Sequence, residues 1–232
     1  MILLAFISPD KKLKNIDDKR KQGERIFWSK IAKIYDRWIE SAFRDQYDVF
    51  RAKISSYIQP GDAVLEVGTG TGDIAFHIAP IARKVVGIDI SPEMITVASR
   101  KCSELNLKNL TFQVEDAYRL PFAESYFTKV VSCNSLQTMK EPFKAIIEGK
   151  RVLKEGGEFI CITYCFGDSG FLEQLKLIKW IILYGKPKYW LNFTSNGLIA
   201  CFEKAGFEII RKEVVWKKPV ALFLRCRKVM AD

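Results

Sequence analysis

The chain has 232 residues, 48% hydrophobic, 28% charged and 12% aromatic, a composition that excludes a disordered tail, a collagen-like chain and a coiled coil. Lys and Arg number 37 against 27 Asp and Glu, a net charge of +10 with a single histidine, which raises a nucleic-acid or membrane-surface reading. The excess lies in the flanks, +5 over residues 1–60 and +6 over 161–232, while 61–160 carries −1.

Residues 1–7 are apolar, but no basic stretch precedes them and no small-residue cleavage site follows, so they do not read as a signal peptide. The polar, charged run that follows predicts a mobile arm over 1–25, and 26–232 predicts one domain. Apolar residues at near-helical spacing (Phe27, Ile31, Tyr35, Trp38, then Phe43, Tyr47, Phe50, Ile54) predict two helices across 26–58, closed by Pro60-Gly61. Strands and helices then alternate. Residues 62–68 form a first strand, 71–79 a helix, 84–90 a second strand, and 91–105 a helix with Ser91 as cap and Pro92 at its first position. The third strand falls at 110–116 and the fourth at 127–135, followed by a helix over 141–154 and a fifth strand over 157–165. An apolar helical run covers 167–184, and a further helix near Thr194 and Ser195 is stopped by Gly206. Two closing strands separated by Lys217-Lys218-Pro219 predict an antiparallel pair at a sheet edge. Such alternation implies an α/β fold, a Rossmann-like, seven-stranded, mostly parallel sheet with helices on both faces and an antiparallel last strand. No uncharged apolar stretch of about 18 residues occurs, so no segment is expected to span a bilayer.

The sharpest feature is Val64-Leu65-Glu66-Val67 leading into Gly68-Thr69-Gly70-Thr71-Gly72 and a helix. Glycines there let backbone approach a ligand at the carboxyl end of a central strand. Asp89 ends the second strand, where a carboxylate accepts hydrogen bonds from ribose hydroxyls. Asp116-Ala117 follows the third, presenting a carboxylate and a backbone amide suited to an adenine edge. Each acid alone reads equally as a helix cap or solvated loop residue, but their coincidence at successive strand ends favours a ligand. A nicotinamide site needs glycine at 73, which is Asp73, and a P-loop needs a following Gly-Lys-Ser/Thr, which is missing. An adenosine ligand without phosphates remains.

Taken together, Leu65–Gly72, Gly87–Ile95, Val114–Ser132 and Val152–Phe159 resemble class I S-adenosylmethionine-dependent methyltransferases, in the small-molecule branch that includes the ubiquinone/menaquinone C-methyltransferases. The lead-in Phe27–Trp38 resembles that branch as well. The resemblance implies S-adenosylmethionine as cofactor, with Glu66, Gly68, Thr69, Gly70 and Gly72 around its methionine part and Tyr35 near the methionine carboxylate. It further implies Asp89 on the ribose, Ile90 and Met94 on the adenine, Asp116 and Ala117 at the adenine edge, and Asn134 where methyl donor and acceptor meet. It gives lid roles to 26–58 and to an insert at 167–193.

A sulfonium methyl is already activated, so positioning and exclusion of water suffice, and no catalytic residue is assigned. His77, more than one turn beyond the glycine loop, reads as structural. Six cysteines without a Cys-x-x-Cys pair, and one histidine, predict no metal site and suit reduced thiols in the cytoplasm. Trp28, Tyr35 and Trp38, with Phe171, Leu172, Leu175, Ile178, Trp180, Ile181 and Tyr184, either close over an apolar or aromatic acceptor or fill a core beneath the lid. Trp180, Tyr184, Tyr189 and Trp190 among Lys176, Lys179, Lys186 and Lys188 suit either a peripheral membrane contact or a solvated lysine face. The expected function is methyl transfer to a small acceptor. Quinone-ring C-methylation, phospholipid N-methylation and, from the charge alone, RNA methylation or nucleic-acid binding are the alternatives.

Overall fold

A computed structural model describes residues 9–229, with side chains from Asp17 onward except at positions 176, 177, 179, 180 and 184. The apolar start at 1–7 lies outside the described residues. In chain order the elements are α1 (Pro9–Ile31), α2 (Tyr35–Ala42), α3 (Arg44–Ser55), β1 (Ala63–Val67), α4 (Asp73–Ile78), β2 (Lys84–Asp89), α5 (Pro92–Glu104), β3 (Leu110–Val114) and β4 (Phe127–Cys133). Then come α6 (Pro142–Val152), β5 (Leu153–Tyr164), α7 (Phe171–Tyr184), α8 (Ser195–Lys204), β6 (Phe207–Lys217) and β7 (Val220–Lys228). Local chemistry explains several boundaries. The Ser91 hydroxyl accepts from Met94 N at 3.3 Å, with Pro92 at the first helical position of α5, and Thr194 Oγ1 accepts from Gly197 N at 3.0 Å to start α8.

The sheet order is β3-β2-β1-β4-β5-β7-β6, with β1 to β5 parallel and β7 antiparallel to both β5 and β6. Its central strands are buried on both faces. Leu65, Val130 and Phe159 pack into one core with α6 and α8, while their neighbours Val64, Val131 and Ile160 pack into the other with α3 and α4. Period-two alternation thus feeds two cores from one run of apolar residues. Strand order reverses between β1 and β4, and in open α/β sheets the loops at the carboxyl ends on either side of that point diverge into a ligand crevice.

The closing strands form the expected antiparallel pair at the sheet edge, with β7 docked on β5 and β6 terminal. One expectation needs correction: 1–25 is not an arm throughout, since 9–25 belongs to α1. Its charged residues find partners across the fold. Arg20 is 5% exposed, donates to Asp17 and Glu24 at 2.7 and 2.6 Å and to Asp116, and lies 4.3 Å above the Tyr118 ring. Glu24 in turn accepts from the Tyr118 hydroxyl at 2.8 Å and from Lys140 N at 3.0 Å. Buried charges persist only when paired and hydrogen-bonded, and the loops after β3 and β4 supply that pairing.

Candidate active site

The loop after β1 is built on left-handed glycines, with φ of 73° at Gly68, 54° at Gly70 and 88° at Gly72. Gly68 N and Thr69 N both donate to the Ile88 carbonyl at 2.9 Å, tying the loop to β2. Asp89 completes the tie, its carboxylate accepting from Gly70 N at 3.0 Å and Ser91 N at 2.9 Å. Enclosure raises the Asp89 pKa to about 6, although those backbone donors pull the other way. Beneath the loop the carboxyl of Glu66, 2% exposed, accepts from Thr69 Oγ1 at 2.5 Å and is pushed by burial up to about 8.

Eleven of the twelve residues named above by resemblance fall together on a single cleft of about 830 Å³: Tyr35, Glu66, Gly68, Thr69, Gly70, Asp89, Ile90, Met94, Asp116, Ala117 and Asn134. Gly72 does not. A Cβ there would meet the Phe112 and Phe76 rings at 2.6 and 2.8 Å, so this glycine serves the start of α4 and its packing on β3. Asp116 faces the cleft with both oxygens already engaged, Oδ1 accepting from Tyr118 N at 3.0 Å and Oδ2 from Arg20. An adenine amino group would share that carboxylate with α1.

Sequence reasoning missed Glu24, Tyr47, Asp73, Tyr118, Ser135 and Thr138, which also line the cleft. Tyr47 sits in the apolar row of α3 and reads as core, and Glu24 sits in a charged run that reads as solvated. Because Glu24 and Trp28 both lie on α1, this helix covers the cleft. Removing Arg20 would leave the buried Glu24 and the partly buried Asp116 carboxylates without their guanidinium, a loss of roughly 3 kcal/mol. Arg20→Ala is therefore expected to speed trypsin cleavage within α1 on the order of 100-fold under native conditions; an unchanged cleavage rate would mean that the ion pairs do not hold the helix down.

A second cavity, of about 1,090 Å³, adjoins the first. Trp28, Tyr35, Tyr47, Asn134 and Thr138 border both. Trp38, Phe43, Tyr164, Phe166 and Trp190 supply most of its remaining wall, with Gln46, Gln137, Glu173 and Lys218 as polar or charged members. The acceptor expectation is therefore split. The lead-in helices do form the chamber, but α7 contributes Glu173, whereas Phe171, Leu172, Leu175 and Ile178 are exposed. The side chains of Trp180 and Tyr184 lie outside those described.

The chemistry available at the junction is hydrogen bonding more than proton abstraction. The Tyr35 and Tyr47 hydroxyls are 3.4 Å apart, and burial drives both pKa values up, as it does for Tyr164. They stay protonated at neutral pH. The Cys133 thiol, on the first cleft, is pushed up likewise and is no thiolate nucleophile. His77 Nδ1 lies 2.8 Å from the Asp73 carbonyl oxygen and is not part of either lining. Among the described residues no group of three or more His, Cys, Asp or Glu is placed to hold a metal ion.

The chain is similar to known methyltransferases. Residues 65–161 match the family model described as a methyltransferase domain. The demethylmenaquinone methyltransferase of Symbiobacterium thermophilum is 31% identical over 183 residues, covering 76% of this chain and 68% of that protein. The ubiquinone/menaquinone biosynthesis C-methyltransferase of Rickettsia massiliae is 31% identical over 178 residues, covering 70% and 69%. Among solved structures, a SAM-dependent methyltransferase from Aquifex aeolicus superposes with a TM-score of 0.63 at 20% identity, covering 96% of this chain and all of that one.

Proposed function

The chain belongs to the class I S-adenosylmethionine-dependent methyltransferases, in the branch of the ubiquinone/menaquinone C-methyltransferases, and on that premise we propose that it methylates a planar, hydroxylated aromatic acceptor held in the second cavity. The observation carrying this reading is the pair of cavities that meet at Tyr35, Tyr47 and Asn134, one lined by the glycine loop and strand-end acids, the other by aromatic rings. The first suits the cofactor. Its lining brings the left-handed Gly68 and Gly70 backbone together with the buried, unpaired Asn134 amide, and Asp89 offers a carboxylate at the end of β2.

When bound, S-adenosylmethionine supplies an activated methyl group. The protein's own residues do the rest. In this reading Asp89 accepts the ribose hydroxyls, Ile90 and Met94 flank the adenine, Asp116 and Ala117 meet its edge, and Glu66 with the glycine loop faces the methionine end near Tyr35. The aromatic chamber excludes water and holds the acceptor ring in line with the junction, which lowers the entropic part of the barrier. Offset and edge contacts between rings favour a flat acceptor.

The same reading gives the protein a membrane-facing side. Phe171, Leu172, Ile182 and Leu183 of α7 are 64 to 77% exposed, Lys186 and Lys188 follow them on the surface, and Glu173 of the same helix reaches the second cavity. An apolar helix face edged with lysines suits an anionic bilayer surface. Among the described residues no helix is long and apolar enough to cross a membrane. Six unpaired cysteines support a reducing, cytoplasmic setting.

The deciding experiment supplies labelled S-adenosylmethionine with naphthols, hydroquinones, thiols, phospholipid vesicles and RNA in parallel. Label is expected in the hydroxylated arenes, with higher rates when they are presented in anionic vesicles. Transfer to RNA or to phospholipid headgroups alone would replace this reading.

A further inference from the structure

Among the described residues, four buried side-chain atoms have no hydrogen-bond partner: Asn134 Nδ2 and Oδ1, Gln137 Oε1 and Arg225 Nε. Buried polar atoms are nearly always paired, and each exception calls for a reason. Three of these four border the two cavities. Asn134 touches both, but Gln137 lines only the aromatic one, so whatever satisfies Gln137 is not the cofactor.

Gln137 is held so that it cannot turn away to water. It is 3% exposed, between Leu136 at 0% and Thr138 at 8%. Its own carbonyl accepts from Leu191 N at 2.8 Å, and the Thr138 hydroxyl donates to the Ser135 carbonyl at 2.8 Å. Several other polar groups of the chamber already have partners: the Tyr164 hydroxyl donates to Gln46 Oε1, and the Tyr35 and Tyr47 hydroxyls pair with each other, while the Asn134 amide at the junction shares the unpaired state. A buried, unpaired hydrogen-bond acceptor in the wall of a ring-lined cavity is complementary to a flat ligand bearing a well-placed donor.

We propose that Gln137 is a specificity-determining residue of the acceptor cavity, its side-chain oxygen accepting a hydrogen bond from a hydroxyl on the acceptor ring. The inference rests on the second cavity being the acceptor site. Asn134, at the junction, stands on the methyl-donor side of the same ring. Sites that hydrogen-bond a ligand hydroxyl reject the analogue lacking it far more strongly than apolar pockets distinguish shapes, because rejection leaves a buried polar group unpaired.

The test reads binding separately from turnover. Trp28, Trp38 and Trp190 line the cavity, so tryptophan fluorescence follows its filling by 1-naphthol and 1-methoxynaphthalene in the presence of S-adenosylhomocysteine. The wild-type protein is expected to bind 1-naphthol more tightly, and Gln137→Met to weaken it about tenfold while leaving 1-methoxynaphthalene within about twofold. Replacing an unpaired buried polar group by an isosteric apolar one is neutral or stabilising, so the variant is expected to melt at or above the wild-type temperature. A structural role for Gln137 predicts the opposite. Equal weakening of both ligands, no weakening of either, or failure of 1-naphthol to bind the wild-type protein would each overturn the proposal. If the naphthol preference and its loss in Gln137→Met are seen while no arene is ever methylated, the reading of the reaction falls and the role of Gln137 in ligand selection stands.

Discussion

Gly68→Ala is expected to lose cofactor binding and a large part of the protein's stability, whereas Gly70→Ala, two residues away, keeps most of both. Both positions are left-handed, with φ of 73° and 54°, and an alanine in that region costs about 1–2 kcal/mol. They differ in what a new methyl group would meet. At Gly70 the nearest atom is Tyr35 Cε1 at 3.9 Å, an ordinary contact, but at Gly68 the methyl group would stand 2.3 Å from Ser135 Cβ and 2.7 Å from its Oγ.

Ser135 has nowhere to go. Its hydroxyl donates to the Val67 carbonyl at 2.9 Å and lies 2.7 Å from the Ser132 hydroxyl, so moving it breaks the link between the ends of β1 and β4 at the mouth of the cleft. Overpacking adds about 1–3 kcal/mol, which with the backbone cost makes roughly 2–5 kcal/mol for Gly68→Ala. Proteins of this kind hold about 5–15 kcal/mol in all. Relief by shifting the loop would misplace Thr69 and Gly70 against β2 and weaken S-adenosylmethionine on the order of 100-fold. Thermal melts and titration calorimetry on the two variants check this. Equal losses at Gly68 and Gly70 would show that the approach of Ser135 does not limit the loop.

That contrast also marks what a sequence can and cannot carry. The glycine loop, the Ser91-Pro92 start of α5, and the acids at the ends of β2 and β3 are legible because each depends on a few adjacent residues. The position of β7 depends on distant pairing, and a hairpin pattern does not say which arm docks on β5. Composition did hold the answer. Ala221-Leu222-Phe223-Leu224 is an unbroken apolar run, as an interior strand needs, whereas β6 carries Glu208, Arg211, Lys212 and Glu213 and suits an edge. Helix α1 reads as an arm for a different reason. Its charges look solvated until Asp116 and Tyr118, roughly a hundred residues away, pair with Arg20 and Glu24. Gln137 carried no local signal, since a lone glutamine before a threonine has no pattern until the fold closes rings around it.

Asp89→Ala is expected to raise the dissociation constant for S-adenosylmethionine by 100-fold or more, and the pH dependence of the wild-type protein identifies the cause. Two hydrogen bonds to a charged group contribute about 1.5–3 kcal/mol each, and the same carboxylate holds Gly70 N and Ser91 N in place. Enclosure raises its pKa to about 6. A ligand that donates hydroxyls to it needs the ionised form, so affinity must climb as pH rises through about 6 and then level off for this group. Stability runs the other way. The folded protein holds this proton more tightly than the unfolded chain, so the group's contribution to stability declines as pH rises from its ordinary 3.8 to about 6. Glu66 adds a second step. Its pKa of about 8 leaves it largely protonated at pH 7, and a cationic ligand above the loop favours its ionised form. Binding near neutrality should therefore release a proton, with affinity rising further toward pH 8. Glu66→Gln is expected to remove this upper step and keep the lower one, while Asp89→Ala removes the lower. Calorimetric titration from pH 5 to 9, in buffers of different ionisation enthalpy, separates the two. An affinity in the wild-type protein that is flat between pH 5 and 7 would take the ionised Asp89 carboxylate out of cofactor binding.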